Sequence, residues 1–210
     1  MYCVEGHTIA EVWENSIRVL LTSPDAVWRT SAEGRCREIA NVIMQVRDPS
    51  AEPQVSLNYP FARQILMDYN NLVFQHFEGL DSPNHRMYAW VEANGNRLNQ
   101  IEKVVDKLRK SPETRTAMVS LWKPEVDLYS LYPMAPCLLY FSIRRDKLEL
   151  SVIVRSNDAW FAAPANFIAF TRLQHMVAKL LALEAGNYCH HAFSYHIYEF
   201  DVPKAALLLL

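Results

Sequence analysis

Leu148-Glu149-Leu150-Ser151-Val152-Ile153-Val154-Arg155 sets a large aliphatic residue at every second position, with Glu149, Ser151, Ile153 and Arg155 between them. Successive side chains of a strand point to opposite faces, so this stretch predicts a strand with Arg155 at its end, facing away from the Leu/Val side. Just upstream, Leu138 to Arg144 has the same short, apolar character, and the two segments read as a hairpin turning around Asp146-Lys147. Thr116 to Trp122 is a third strand of this group. Downstream, Pro164 introduces Asn166 to Ala185, apolar nearly all round and ending at Gly186, the pattern of a buried central helix. Tyr195 to Val202 is a last aromatic-rich strand.

Working towards the N-terminus, the period changes. Ile9, Val12, Trp13, Ile17, Leu20 and Leu21 recur at helical spacing until Ser23-Pro24. Ala40 to Val46 is β-rich and ends at Asp48-Pro49. A second helix runs through Phe61, Ile65, Tyr69, Leu72, Val73 and Phe77 towards Gly79. A third carries Leu98, Ile101, Val104, Val105 and Leu108, with Lys and Arg in its last turn, and meets Ser111-Pro112. Without internal repeats, low-complexity tracts or linkers, residues 1–210 read as a single α+β domain.

Composition narrows the function. Half of the 210 residues are apolar and the formal charge is -2, so no global field draws the chain to nucleic acid or an anionic membrane. An anionic ligand must be held by local arginines. Cys3, Cys36, Cys137 and Cys189 form no C-x-x-C pair, which argues against a zinc ribbon or a disulfide framework and for a reducing, cytoplasmic setting. Cys189, His190, His191 and His196 lack the arrangement of a tetrahedral site, so no metal is expected. No signal-like segment opens the chain and no apolar run nears the roughly 20 residues of a spanning helix.

Cys137 alone would read as a small buried hydrophobe. Its company changes that, because Arg155-Ser156-Asn157-Asp158 ends the neighbouring strand, where a guanidinium can lower a thiol's pKa and bind phosphate. In order along the chain come Thr114-Arg115-Thr116, Val119 to Trp122, Ala135-Pro136-Cys137, Arg155 to Asp158, Pro164-Ala165-Asn166 and His196-Ile197-Tyr198. This series resembles the thymidylate synthase family with its pyrimidine-nucleotide hydroxymethylases, from about Tyr88 to Tyr198.

The resemblance implies a thymidylate synthase-like mixed sheet around a buried helix. It also implies a reaction, in which one carbon passes from 5,10-methylenetetrahydrofolate to C5 of a pyrimidine nucleoside monophosphate after a thiolate adds to C6. Cys137 matches the nucleophile and Tyr88 the tyrosine that helps remove the C5 proton. Arg155 and Ser156 match phosphate ligands, and Arg115 an arginine reaching the partner's phosphate across a homodimer. Asp158 and Asn166 match base-site residues; His196 and Tyr198 match the pair on the sugar 3′-hydroxyl. Asn166 is also a good helix cap, and its amide serves uracil or cytosine. Further upstream, Arg29-Thr30 resembles the start of the phosphate loop without its glycines. Asp68 falls near the general-acid glutamate, with Glu78 as its rival.

Departures from the family bear on the product. Leu138 follows Cys137 where many methylating members have His, and Ala162, Ala163 and Ala165 imply a roomier base pocket. Thr116 replaces a second phosphate arginine, leaving Lys123 to compensate. No tryptophan lies between Gly79 and Tyr88, and the sequence stops a dozen residues after Tyr198, before a folate-closing tail. Admitting water favours hydroxymethylation of CMP, dCMP or dUMP, with methylation of dUMP to dTMP as the alternative and a non-catalytic nucleotide-binding homologue as the remoter one.

Overall fold

A computed structural model describes residues 1–31, 33–75, 81–92 and 94–210. The order is β1 (Tyr2–Gly6), α1 (Ile9–Thr22), β2 (Val27–Ser31), β3 (Gly34–Val46), α2 (Arg63–Phe74), α3 (Pro83–Tyr88), β4 (Trp90–Val91) and β5 (Arg97–Leu98). There follow α4 (Gln100–Lys110), β6 (Met118–Ser120), α5 (Pro124–Asp127), β7 (Pro136–Arg144), β8 (Lys147–Asp158), α6 (Ala162–Leu180), β9 (Glu184–Tyr198), α7 (Val202–Ala205) and a 3-10 turn, Ala206–Leu209.

Seven strands form one mixed sheet in the order β1-β3-β9-β8-β7-β6, with β2 paired to β3. The hairpin expected between β7 and β8 is present, with Arg144 opposite Lys147. Its two turn residues, Arg145 and Asp146, both have positive φ, 51° and 60°, as a tight turn compatible with strand twist demands. β8 and β9 run parallel, so the chain must cross between them, and α6 is that crossover.

α6 is the buried central helix of the sequence reading, but its limits differ. It begins at Ala162, with Pro164 tolerated in the first turn where no intrahelical N–H is needed. It ends well before Gly186. Ala182 takes a left-handed φ of 56°, its N–H bonds to Lys179 O at 3.1 Å, and Leu183 N–H bonds to Ala178 O at 2.9 Å. These paired bonds close a Schellman cap without glycine, so Glu184 to Gly186 belong to β9. Likewise β9 extends far upstream of Tyr195, and β1 and β2 are additions to the strands expected from sequence.

One face of the sheet is covered and the other open. Leu148, Leu150, Val152 and Val154 on β8 are fully buried, and one continuous apolar core runs from Val4 to Leu208. The alternate residues Ser151 and Ile153, with Leu138, Tyr140 and His191, are only half-buried. This inside–outside code then slips by one residue at a single level of three adjacent strands. Buried positions step from Val42 back to Ile39 on β3, from Ala192 to Tyr195 on β9, and from Val154 to Asn157 on β8. The pairing skips Asn41, Phe193 and Arg155 at that level, and Asn41 has a φ of 57°. One residue drops out of each strand there with the register kept, and such an irregularity bends the strands and re-aims their side chains.

Candidate active site

Beyond the slip, the ends of β8 and β9 carry most of the motif residues. Simple alternation from Val154 and Ala192 would send Ser156, Asp158, His196 and Tyr198 into the core. The slip turns Asn157, Tyr195 and Ile197 inward instead and leaves those four half-buried. Asp158 lies beside His196 and Ser156 beside Ser194 in the parallel ladder. Ser156 Oγ meets His196 Nδ1 at 3.5 Å, and the His196 ring stands edge-on to Tyr198, centroids 5.3 Å apart. Tyr198 Oη donates to Glu33 Oε2 at 2.9 Å.

Cys137 enters from β7 at the same end of the sheet. The register jumps between Pro136, opposite Val154, and Leu138, opposite Ile153, so Cys137 occupies a bulge. Its carbonyl accepts from Leu121 N–H at 2.8 Å and Trp122 N–H at 3.2 Å, while Sγ lies 3.5 Å from Ala135 O. Arg155 donates from Nε to Met134 O at 3.1 Å and from Nη2 to Pro133 O at 2.7 Å, and its own N–H bonds to Ala135 O at 2.9 Å. Arg155 therefore clamps the segment that delivers Cys137.

Arg155 lowers the pKa of this thiol in the direction expected, but burial outweighs it. Burial is the dominant influence and pushes the Cys137 thiol above its ordinary value; the Arg155 backbone N–H and then its guanidinium pull the other way without prevailing. In the free protein the thiol is thus protonated at neutral pH. Alkylation of Cys137 by iodoacetamide is expected to accelerate with pH beyond the ordinary thiol range of about 8.5, and Arg155→Ala to move the curve higher still. Peptide mass spectrometry across a pH series reads this; a rate already levelled at neutral pH contradicts it.

Asn166 lies on α6, past its first turn, so it is not a cap. Asp158 instead closes the turn that leads into the helix, its Oδ1 accepting from Trp160 N–H at 2.9 Å and Phe161 N–H at 3.1 Å. Burial, the larger influence, raises the Asp158 carboxyl's pKa and lowers that of the neighbouring His196. Asn166 is 3% exposed and its Oδ1 accepts a short hydrogen bond from Tyr69 Oη on α2. Tyr69 is not among the residues that the sequence singles out, although it sits beside one that is. Asp68 points to solvent and accepts from Gln64 Nε2 at 2.8 Å, so the face of α2 that reaches Asn166 carries Tyr69. Glu78 lies outside the described residues.

Tyr88 ends α3 with Oη 4.0 Å from Met176 Sδ, and burial pushes its phenol up to about 12. Arg115 is exposed just before β6, and Arg29 is exposed on β2 with Glu38 as its partner at 3.1 Å. Neither is joined to the Cys137 cluster by a contact among the described residues. Lys123 is buried, with Nζ 4.6 Å from the Trp90 ring centroid. Ala163 and Ala165 are buried on α6, and Ala162 is half-buried. Beneath Cys137 the buried Arg86 donates to Asp127 at 2.5 and 3.1 Å and to Asp81 at 2.5 and 2.9 Å. Asp127 in turn accepts from Met134 N–H at 2.9 Å. No sequence signal marks this cluster, in which Asp127 lies 41 residues along the chain from Arg86. Among the described residues no group of His, Cys, Asp and Glu could hold a metal ion, and no helix is long and apolar enough to cross a membrane.

A second feature adjoins Tyr69. A groove of about 460 Å³ is lined by Leu66, Met67, Asn70, Ile168, Arg63 and Arg172, among others. Asn70 is 7% exposed, and its buried Oδ1 has no donor.

Comparison with known proteins agrees with this geometry. The family model described as thymidylate synthase matches residues 61–209. A protein of Methanocaldococcus jannaschii described as "Putative thymidylate synthase" is 31% identical, over 97% of this chain and 95% of its own. Proteins of the same description from Methanococcoides burtonii (28%, 96% and 91% covered) and Methanopyrus kandleri (29%, 95% and 94%) are similar over nearly their full lengths. With the motif residues meeting at one end of the sheet and more than half of the chain matched, this protein belongs to the thymidylate synthase family.

Proposed function

We propose that the chain transfers a one-carbon unit from 5,10-methylenetetrahydrofolate to C5 of a pyrimidine nucleoside monophosphate, through a covalent bond from Cys137 Sγ to C6. The observation that carries this reading is the convergence of Cys137, Arg155, Ser156, Asp158, His196 and Tyr198 at one end of three neighbouring strands. Cys137 loses its proton as Sγ adds to C6, and the electron pair moves onto C5 and the C4 carbonyl or imine, making C5 nucleophilic. Because the free thiol is held protonated, its proton passes to the C4 oxygen or imine nitrogen that the arriving electron pair makes basic. Arg155, Ser156 and a partner's Arg115 take the phosphate, with the exposed Arg29 of β2 a further candidate. His196 and Tyr198 take the sugar, and Asp158 and Asn166 the base. Tyr88 stands for removal of the C5 proton, with Asp68 the weaker carboxylate candidate.

The groove beside Tyr69 fits a folate. Leu66, Met67 and Ile168 offer an apolar wall, Asn70 Oδ1 an unmet acceptor for a ring N–H, and Arg63 and Arg172 cations for a carboxylate tail. Bound folate supplies an electrophilic methylene, and in the methylating outcome a hydride. Methylation of dUMP agrees with the description of the relatives. Hydroxymethylation is the second reading, favoured by the lack of tryptophan between Gly79 and Tyr88. A homodimer accords with the open sheet face, where Phe193 and Met118 are 47% and 46% exposed. Four free thiols suit a reducing cytoplasm, and residues 1–210 would act as one domain.

The test is one incubation with methylenetetrahydrofolate and a mixture of UMP, dUMP, CMP and dCMP, read by mass spectrometry. A methyl or hydroxymethyl group gained by one nucleotide is the expected result and identifies base, sugar and product together. No gain on any of the four overturns the proposal in favour of a nucleotide-binding homologue.

A further inference from the structure

At the bend of β8, three buried polar side chains are linked in a single possible arrangement. Asn157 Nδ2 donates to the Asp158 carbonyl at 3.2 Å, which turns Asn157 Oδ1 towards His190. That oxygen only accepts, so His190 Nε2, 2.8 Å away, carries the proton. His190 Nδ1 is then bare and accepts from Tyr188 Oη at 2.9 Å. His190 and Tyr188 are fully buried, Asn157 is 2% exposed, and Phe167, next to Asn166 on α6, stands edge-on to the imidazole at 4.8 Å. Burial keeps the ring neutral, with its pKa lowered to about 3.

The reach of this chain is its informative property. His190 is paired across the ladder with Val152, yet it bonds to Asn157, five residues further along β8. A straight strand would put those five residues roughly 16 Å away. The bond exists because β8 bends at the slip between Val154 and Asn157, and it ties the two sides of the bend together. Apolar side chains would fill the same space; a fully satisfied polar network adds direction.

We propose that Tyr188, His190 and Asn157 are positioning residues, which hold the bend of β8 and thereby aim Ser156 and Asp158, on either side of Asn157, into the nucleotide site. This rests on the functional reading above. None of the three touches the reacting atoms. Their effect runs through the strand end, which also meets His196 through Ser156 Oγ.

The test compares His190→Phe, which removes both ring hydrogen bonds at similar volume, with His190→Gln, whose NH₂ can donate to Asn157 Oδ1 and whose carbonyl can accept from Tyr188. The readouts on the full chain are dUMP affinity, the rate of covalent trapping by 5-fluoro-dUMP, and hydrogen exchange of amides 155–158. His190→Phe is expected to weaken dUMP binding and slow trapping by about tenfold or more, with faster exchange at 155–158, and His190→Gln to recover most of each. Binding, trapping and exchange within about twofold of the parent in His190→Phe overturn the proposal, as does a folded His190→Gln that recovers nothing. Should His190→Phe not fold, Tyr188→Phe, lacking one donor, serves in the same comparison. If the parent chain itself neither binds nor is trapped, the functional reading fails, and the positioning role is judged on exchange at 155–158 alone.

Discussion

Cys137→Ser is expected to abolish covalent trapping by a 5-fluoropyrimidine nucleotide and to lower turnover by on the order of 10⁴-fold or more, with nucleotide binding nearly unchanged. A serine hydroxyl is far less acidic than a thiol, and burial, which already raises the pKa of Cys137, would penalise an alkoxide more severely. The bulge that presents residue 137 depends on its backbone, through bonds from Leu121 and Trp122 to its carbonyl, so serine keeps the fold. Intact-mass measurement after denaturation reads the adduct. Trapping that survives the substitution moves the nucleophile elsewhere. The same variant checks the assembly: mixed with an Arg115→Ala chain, itself weak in trapping, it should form heterodimers with one complete site, and trapping should return. Mixtures no better than Arg115→Ala alone would remove Arg115 from the partner's site.

The largest effect on stability is expected from Arg86→Met, about 3–5 kcal/mol. Burial is the strongest influence on Arg86 and opposes its charge, yet Asp81 and Asp127 together hold its pKa above the ordinary value. The Asp127 side chain is 1% exposed, and with Arg86 gone its carboxylate would keep only backbone donors, from Lys123 at 2.7 Å and Met134 at 2.9 Å. An uncompensated buried charge is the costly outcome. Pairing Arg86→Met with Asp127→Leu should therefore recover much of the loss, whereas a simple packing defect would deepen it. Urea unfolding of the two variants separates these cases. Because Asp127 also holds Met134, whose carbonyl Arg155 holds, the single variant should slow trapping at Cys137 as well.

The chain's architecture is legible where its period is regular. Both halves of the hairpin alternate: Leu139 and Phe141 face the core on β7 as Leu150 and Val152 do on β8, and helix α1 matches its spacing closely. Legibility fails where a local device replaces the usual signal. Ala182 closes α6 in a position where glycine is the sequence marker, so the apolar pattern carries the expected helix as far as Gly186. The slip at Arg155 and Phe193 leaves no mark in composition, and continuous alternation would assign Ser156 and His196 to the core. For the site, short motifs identify the strand-end residues, because Cys137, Arg155 and the His196-Tyr198 pair are local in sequence. Tyr69 and Arg86 escape such motifs because each acts through a partner distant along the chain, at Asn166 and Asp127, and Asn157 lies inside a motif that does not reveal its link to His190.

The stacked bend has an entropic consequence. Side chains borne on loops must be ordered when a ligand arrives, at about 0.5–1.5 kcal/mol for each immobilised rotamer-rich side chain. Here Ser156, Asp158, His196 and Tyr198 project from strands whose ladders resume beyond the slip and reach their own level, with Asp158 paired to His196 and Cys36 to Tyr198. Their backbone freedom is surrendered during folding, so more of the binding free energy of a small nucleotide remains to orient its reacting ring.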